Sequence, residues 1–158
     1  MANQSLEYGK RRGDDMYELA YPIGASEVFK KKGGAFLADD SSGRLEIATA
    51  AVTNIIGHLA DFAEDFTASS TEGATVLKVN TDLDAHYELP INTGTWAATM
   101  RGKTCDLSVS SSIQGLNLSA SSIDIVELIE AGTTNPAGTV VSAICKLFRK
   151  NLTRTGVV

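Results

Sequence analysis

The stretch that decides the fold is residues 101–146, RGKTCDLSVSSSIQGLNLSASSIDIVELIEAGTTNPAGTVVSAICK. Short segments within it alternate apolar and polar residues, as in Leu107-Ser108-Val109-Ser110 and Leu116-Asn117-Leu118-Ser119. Successive side chains of a strand point to opposite sides of a sheet, so each segment offers one apolar and one polar face. Turn-forming residues separate the segments, most clearly 132–135 followed by Pro136. The pattern predicts a small antiparallel β-domain.

Further strands are predicted on the amino-terminal side of this stretch. These strands cover 16–23, 35–38, 44–48, 74–80 and 86–91. Within the quoted stretch and at its end, a further pair of strands is predicted at 123–130 and 139–147. Asp39-Asp40-Ser41-Ser42-Gly43 lies between two of them and is typical of a hairpin loop. The predicted fold class is mainly β, a single antiparallel β-barrel or β-sandwich domain.

Residues 48–66 are the ambiguous segment. Val52, Ile55, Ile56 and Leu59 recur at helical spacing, which is compatible with a short helix. Gly57 in the middle, the β-branched residues and the strand-rich surroundings oppose a helix. The sequence favours strands and loops here, with the short helix as the alternative.

The bulk composition bounds the class of protein. A chain of 158 residues fits one domain, and its 43% apolar and 21% charged residues are ordinary for a folded protein. The apolar runs are much shorter than the roughly 20 residues that span a bilayer, and the first residues lack the apolar run of a secretory signal. We therefore expect no membrane association and a cytoplasmic site of synthesis. Residues 1–15 are polar and lack apolar periodicity, so they are predicted to form an extended amino-terminal arm preceding a β-rich domain at 16–158.

Charge is unevenly distributed along the chain. Residues 36–100 hold two Lys or Arg against ten Asp or Glu, whereas basic residues gather at 10–12, 30–32 and 146–154. Nucleic-acid binding requires a continuous basic face, usually with stacking aromatic residues, and that pattern is weak here. We expect no nucleic-acid partner.

Trp96 follows a predicted strand and could either anchor an interface or pack in the core. The candidate contact residues, for a partner or for self-association, are Lys10, Arg11, Arg12, Lys30, Lys31, Lys32, Trp96, Phe148, Arg149 and Lys150.

No pattern in the sequence indicates a catalytic centre. Asp82, Asp84 and His86 alternate and form the best metal-ligand candidate, but such residues are usually the solvent-facing side of a strand or turn. Gly102-Lys103-Thr104 lacks the preceding glycine and the following helix of a phosphate-binding loop. Cys105 and Cys145 are expected to be buried, unreactive thiols. We therefore expect no enzymatic activity, no metal and no cofactor.

The order of features resembles the capsid decoration, or cement, proteins of tailed bacteriophages. The segments that carry the resemblance are Gly33-Gly34-Ala35-Phe36-Leu37, Glu88-Leu89-Pro90-Ile91, Gly102-Lys103-Thr104-Cys105-Asp106-Leu107, Gln114-Gly115-Leu116-Asn117-Leu118 and the strand pair at 123–130 and 139–147. The resemblance covers most of the chain after residue 16 and consists of strand and turn patterns.

The resemblance implies a β-barrel or β-sandwich that binds the outside of an assembled icosahedral shell, often as a trimer, and bridges neighbouring capsomers. The expected partners are the major capsid protein and other copies of this chain in a homotrimer. The expected location is the outer capsid surface of a virion assembled in the host cytoplasm, with 1–15 lying along the shell. The alternatives are another virion structural module, such as a tail or fibre-base β-domain, and a cytoplasmic β-domain that binds a small ligand.

Overall fold

The computed structural model describes residues 9–12, 18–50, 54–60, 64–82, 84–122 and 124–148. Within these ranges the chain is mainly β, as predicted, with one 3₁₀ turn at Ala98–Met100. None of the helical structure in these ranges is long and apolar enough to cross a membrane. The strands are β1 Gly9–Arg12, β2 Glu18–Pro22, β3 Val28–Phe29, β4 Phe36–Asp39, β5 Leu45–Ile47, β6 Ile55–Leu59, β7 Phe66–Thr67, β8 Val76–Asn80, β9 His86–Thr93, β10 Thr104–Ser110, β11 Ile113–Asn117, β12 Val126–Ala131 and β13 Ser142–Leu147.

Five strands close into a barrel. They follow the order β9, β11, β10, β12 and β13, and β13 pairs back with β9. Closure pairs both edges of each barrel strand and so protects them from edge-to-edge association. Four of the pairings are antiparallel, as predicted, but β11 runs parallel to β9, with Leu116 opposite Ile91. Residues 94–103 connect β9 to β10, and β11 then follows β10 through a hairpin.

A second sheet, in the order β2, β8, β6, β4 and β5, packs against the barrel with one face. Both faces of β4 are buried. Phe36 on one face belongs to the barrel core, and its neighbour Leu37 on the other face belongs to a separate apolar cluster. A two-stranded ribbon of β3 and β7 contributes to that second cluster, where the rings of Phe29 and Phe66 stack at 4.7 Å. The second sheet is therefore covered on both sides at β4, whereas Leu19 on β2 and Val76 on β8 remain exposed.

The described part of the ambiguous segment contains a strand. Ile55–Leu59 forms β6, so the strand interpretation is confirmed and the helical alternative is wrong for these residues, while 51–53 and 61–63 lie outside the described residues. The pairing of β6 with β4 shifts register between Ile55 and Gly57, so Ile55 packs into the barrel core while Leu59 packs into the second cluster on the other face. A strand buried on both faces loses its two-residue alternation, and its apolar spacing then imitates that of a helix.

Gly57 is required at the centre of β6. A Cβ atom there would overlap the backbone oxygen of Asn80 and press on Cγ1 of Val79, both on the neighbouring strand β8. Because backbone cannot move aside without breaking the sheet, we expect Gly57→Ala to lower the free energy of unfolding by about 3 kcal/mol. Denaturant unfolding measures this loss. Gly24→Ala is the control, since the nearest atom to its new Cβ is at 3.6 Å, and equal losses in the two variants would contradict the prediction.

Turns and loop ends differ in how well the sequence predicted them. The 39–43 loop joins β4 to β5 as expected, with Oδ1 of Asp39 accepting hydrogen bonds from the backbone of Ser41 and Gly43. The strand predicted at 123–130 begins only at Val126, because Asp124 has a left-handed backbone with φ of 59°.

The first described strand, β1, falls inside the predicted arm and pairs with β9 of its own chain. The remainder of 1–15 lies outside the described residues.

Candidate docking surface

The side chain of Gln114 joins the second sheet to the barrel. It is buried on β11, where its Oε1 accepts a hydrogen bond from the backbone N–H of Phe36 at 2.8 Å. Its Nε2 donates to the carbonyl oxygens of Phe36 at 2.9 Å and Ala48 at 2.8 Å. The backbone of Gly34 also donates to the carbonyl oxygen of Gln114. A Cβ on Gly34 would lie 2.6 Å from Cδ2 of Leu89, so this close approach requires glycine.

His58 lies in the same interface and is completely enclosed. Its Nε2 accepts a hydrogen bond from the backbone N–H of Ala35 at 2.9 Å, which places the ring proton on Nδ1, where it is donated to the carbonyl oxygen of Leu59 at 2.8 Å. The ring stacks on Tyr87 at 4.1 Å and meets Phe36 edge-on. Burial lowers the pKa of His58 to about 4, opposed by the bond to Leu59. The ring is therefore a neutral structural element at pH 7.

Two buried carboxylates organise loops of the barrel. Asp106 accepts hydrogen bonds from the backbone and the hydroxyl of Ser122 and from the backbone of Asp124, which fixes the connection from β11 to β12. Glu88 accepts from the hydroxyls of Thr133 and Ser142 and from the backbone of Thr133, which fixes the start of the β12–β13 connection. These side chains hold the fold at its turns.

The metal-ligand and thiol candidates occupy structural positions. Asp82 accepts a hydrogen bond from the backbone of Asp84 in the turn before β9, and its own N–H binds Oδ1 of Asn80. Across the described ranges, no group of three or more His, Cys, Asp or Glu side chains is placed to hold a metal ion.

Cys105 and Cys145 are free and buried in the barrel core, as expected. Burial raises the pKa of Cys105 to about 12 and raises that of Cys145 well above its usual range.

An open groove of about 450 Å³ lies where the second sheet meets the tip of the β10–β11 hairpin. Its apolar walls are Val28, Ile47 and Val109, and its carboxylates are Glu27 and Glu46. Val109 is 40% exposed, although its alternation with Leu107 had placed it on the apolar face. The groove therefore presents apolar and acidic side chains together at the protein surface.

Glu27 is a half-buried carboxylate of this groove. Its Oε2 accepts a hydrogen bond from the backbone N–H of Ile47 at 3.0 Å, at the edge of β5. Burial raises the pKa of Glu27, and the negative charges of Glu46 and Glu72 raise it further, against the lowering effect of the Ile47 bond. Within the described part of the chain, neither Glu27 nor Glu46 forms an ion pair. A cation entering the groove would relieve this repulsion.

The basic cluster at 30–32 forms a turn beside this groove. Asp65 fixes the turn by accepting a hydrogen bond from the backbone of Lys31 at 2.8 Å and by pairing with Nζ of Lys30 at 3.3 Å. Lys32 is exposed, and Lys31 is half-buried. Among the described residues, no carboxylate forms an ion pair with either Lys31 or Lys32.

The other predicted contact residues are scattered. Trp96 is partly buried and packs with Met100 and Leu118 against the barrel core, so it is placed more as a packing residue than as an exposed anchor. Phe148 is half-buried after β13, where its N–H binds the carbonyl oxygen of Ile125. Lys10, Arg11 and Arg12 lie on β1, of whose side chains nothing is described, and Arg149 and Lys150 lie outside the described residues.

Sequence reasoning missed both the polar interior and the acidic groove. Asp106 and Glu88 occupy polar positions in alternating segments, which are normally assigned to solvent, and Gln114 is a polar residue that shares the apolar face of Leu116. Their partners lie up to 78 residues away in the chain, so no local signal marks them. The glycine pair at 33–34 next to a strand was the available signal, since glycine marks close backbone approach.

Comparisons with known proteins identify no relative: no family model, no curated protein and no solved structure matches this chain.

Proposed function

We propose that this chain is a structural virion protein that binds the outer surface of an assembled phage capsid and bridges neighbouring capsomers. The observation that carries the proposal is the use made of the buried polar side chains. Gln114, His58, Asp106 and Glu88 all bind the backbone or hydroxyls of their own fold. Binding to another molecule therefore depends on surface groups, such as those of the acidic groove and the basic turn.

The resemblance to decoration proteins and the stiffness of the fold support the same function. A closed barrel that is hydrogen-bonded to the second sheet through Gln114 is expected to change shape little on binding and so to lose little conformational entropy. Repetition over a symmetric shell converts modest contacts into firm retention, because one oligomer engages several sites. On this proposal the partners are the major capsid protein and two further copies of the chain, and the chain acts by adhesion, without catalysing a reaction.

Mixing the purified chain with bare capsids tests this function. We expect the chain to co-sediment with the shells and to saturate at a copy number set by the shell symmetry. Disassembled capsid protein is the control, because bridging requires neighbouring capsomers. Absence of co-sedimentation with intact shells would overturn the proposal.

A further inference from the structure

We propose that copies of this chain associate with one another by placing the basic turn 30–32 of one copy in the acidic groove of the next. The groove is defined by Glu27, Glu46, Val28, Ile47 and Val109. The inference deepens the self-association part of the proposed function and rests on it.

Charge complementarity selects the occupant. The groove carries two carboxylates without an ion pair in the described structure, and the turn carries Lys31 and Lys32 likewise. A lysine side chain suits the groove, because its aliphatic stem covers apolar walls while its ammonium group reaches a carboxylate. Exposed ion pairs contribute little, but partial burial beside Val109 and Ile47 reduces screening by solvent.

The backbone of the basic turn is already ordered within a single copy. Its ends are fixed by Asp65 and by the hydrogen bond from the N–H of Gly33 to the carbonyl oxygen of Lys30 at 2.8 Å. Gly33 packs so closely on β11 that an added Cβ would lie 3.3 Å from Cγ2 of Ile113. A turn that is already ordered loses little conformational entropy when it docks.

The groove and the basic turn are neighbours on the surface of one copy. Val28, in the groove wall, and Lys30, in the turn, lie on either side of Phe29, and Gly33 packs beside Ile113, the neighbour of groove residue Ser112. The groove and the turn therefore lie side by side, yet Lys31 and Lys32 form no ion pair with Glu27 or Glu46 of their own copy. A contact between the turn of one copy and the groove of the next is head-to-tail, and the trimer of the proposed function is the ring that such contacts form when the rotation between copies is threefold.

Charge reversal with rescue tests the inference without any capsid. Sedimentation equilibrium measures the association of the wild-type chain, which we expect to weaken as salt rises. Glu46→Lys and Lys32→Glu should each raise the dissociation constant by about tenfold or more, because like charges then face each other. The double variant Glu46→Lys/Lys32→Glu should restore association, because the pair is regenerated with reversed polarity.

The control is Glu130→Lys, an exposed position on β12 outside the groove, which should leave association unchanged. Circular dichroism on each variant verifies that the fold is intact. A monomeric wild-type chain, single variants that associate like the wild type, or folded double variants that stay apart would each overturn the inference. Shell binding is measured separately, so a chain that binds shells as a monomer would refute this contact and leave the proposed function standing.

Discussion

Gln114→Met is expected to lower the free energy of unfolding by about 3 kcal/mol. The substitution keeps the length of the side chain but removes its hydrogen-bonding groups. The backbone N–H of Phe36 and the carbonyl oxygen of Ala48 then lose the bonds they make with Gln114 inside the interface between the sheet and the barrel. A buried polar group left without a partner costs about 1–3 kcal/mol. Denaturant unfolding followed by the fluorescence of Trp96, which packs on the barrel core, measures the change.

Lys103→Met is the matched control, because it also replaces a polar side chain by methionine but at an exposed position. We expect it to change the free energy of unfolding by less than about 0.5 kcal/mol. If Gln114→Met were as stable as this control, the hydrogen bonds of Gln114 would not hold the two layers together.

Acidification is expected to destabilise the fold through His58 by about 3 kcal/mol. The pKa of His58 is about 4 in the folded chain, against 6.5 for an unperturbed histidine. Between these values the unfolded state binds the proton and the folded state does not. The contribution of His58 to the free energy of unfolding is therefore fully present above pH 6.5, decreases as the pH drops towards 4, and changes no further below that.

The measurement is the free energy of unfolding at several pH values between 7 and 4, for the wild type and for His58→Gln. The variant is expected to be less stable at pH 7, because the bonds to Ala35 and Leu59 are disturbed, but its stability should fall less steeply with acid. Carboxylates contribute equally to both curves, so the difference between the curves isolates His58. His86→Gln should keep the steep fall, and parallel wild-type and His58→Gln curves would contradict the assignment.

The success of the sequence prediction depended on whether a strand has one buried face or two. Strands β10 and β13 were predicted because their segments alternate, and the hairpin loop at 39–43 was predicted because its residues favour turns. The alternating segment at 116–119 overlaps β11 only at its last two residues. β6 was ambiguous because both of its faces are buried and because its register shifts after Ile55, so that Ile55 and Leu59 pack in different apolar clusters. The parallel pairing of β11 with β9 is a property of topology, and no local pattern encodes it.

The candidate surface was predictable only in part. The basic turn at 30–32 is visible as a run of three lysines, but its fixation by Asp65 depends on a contact 34 residues along the chain from Lys31. The groove combines residues from three separate segments, 26–28, 46–49 and 109–112, so its existence depends on how the hairpin of the barrel approaches the second sheet. Val109 became a surface residue because the tip of the β10–β11 hairpin extends beyond the core, and this follows from strand length in three dimensions.

The central claim, that this chain acts by fastening capsomers together, is tested most directly by the temperature at which bare capsids open, measured with and without a saturating amount of the chain. A protein that binds only the assembled shell stabilises it by mass action, so we expect the opening temperature to rise with the concentration of the chain. An opening temperature that stays the same while the chain is present in excess would contradict the claim.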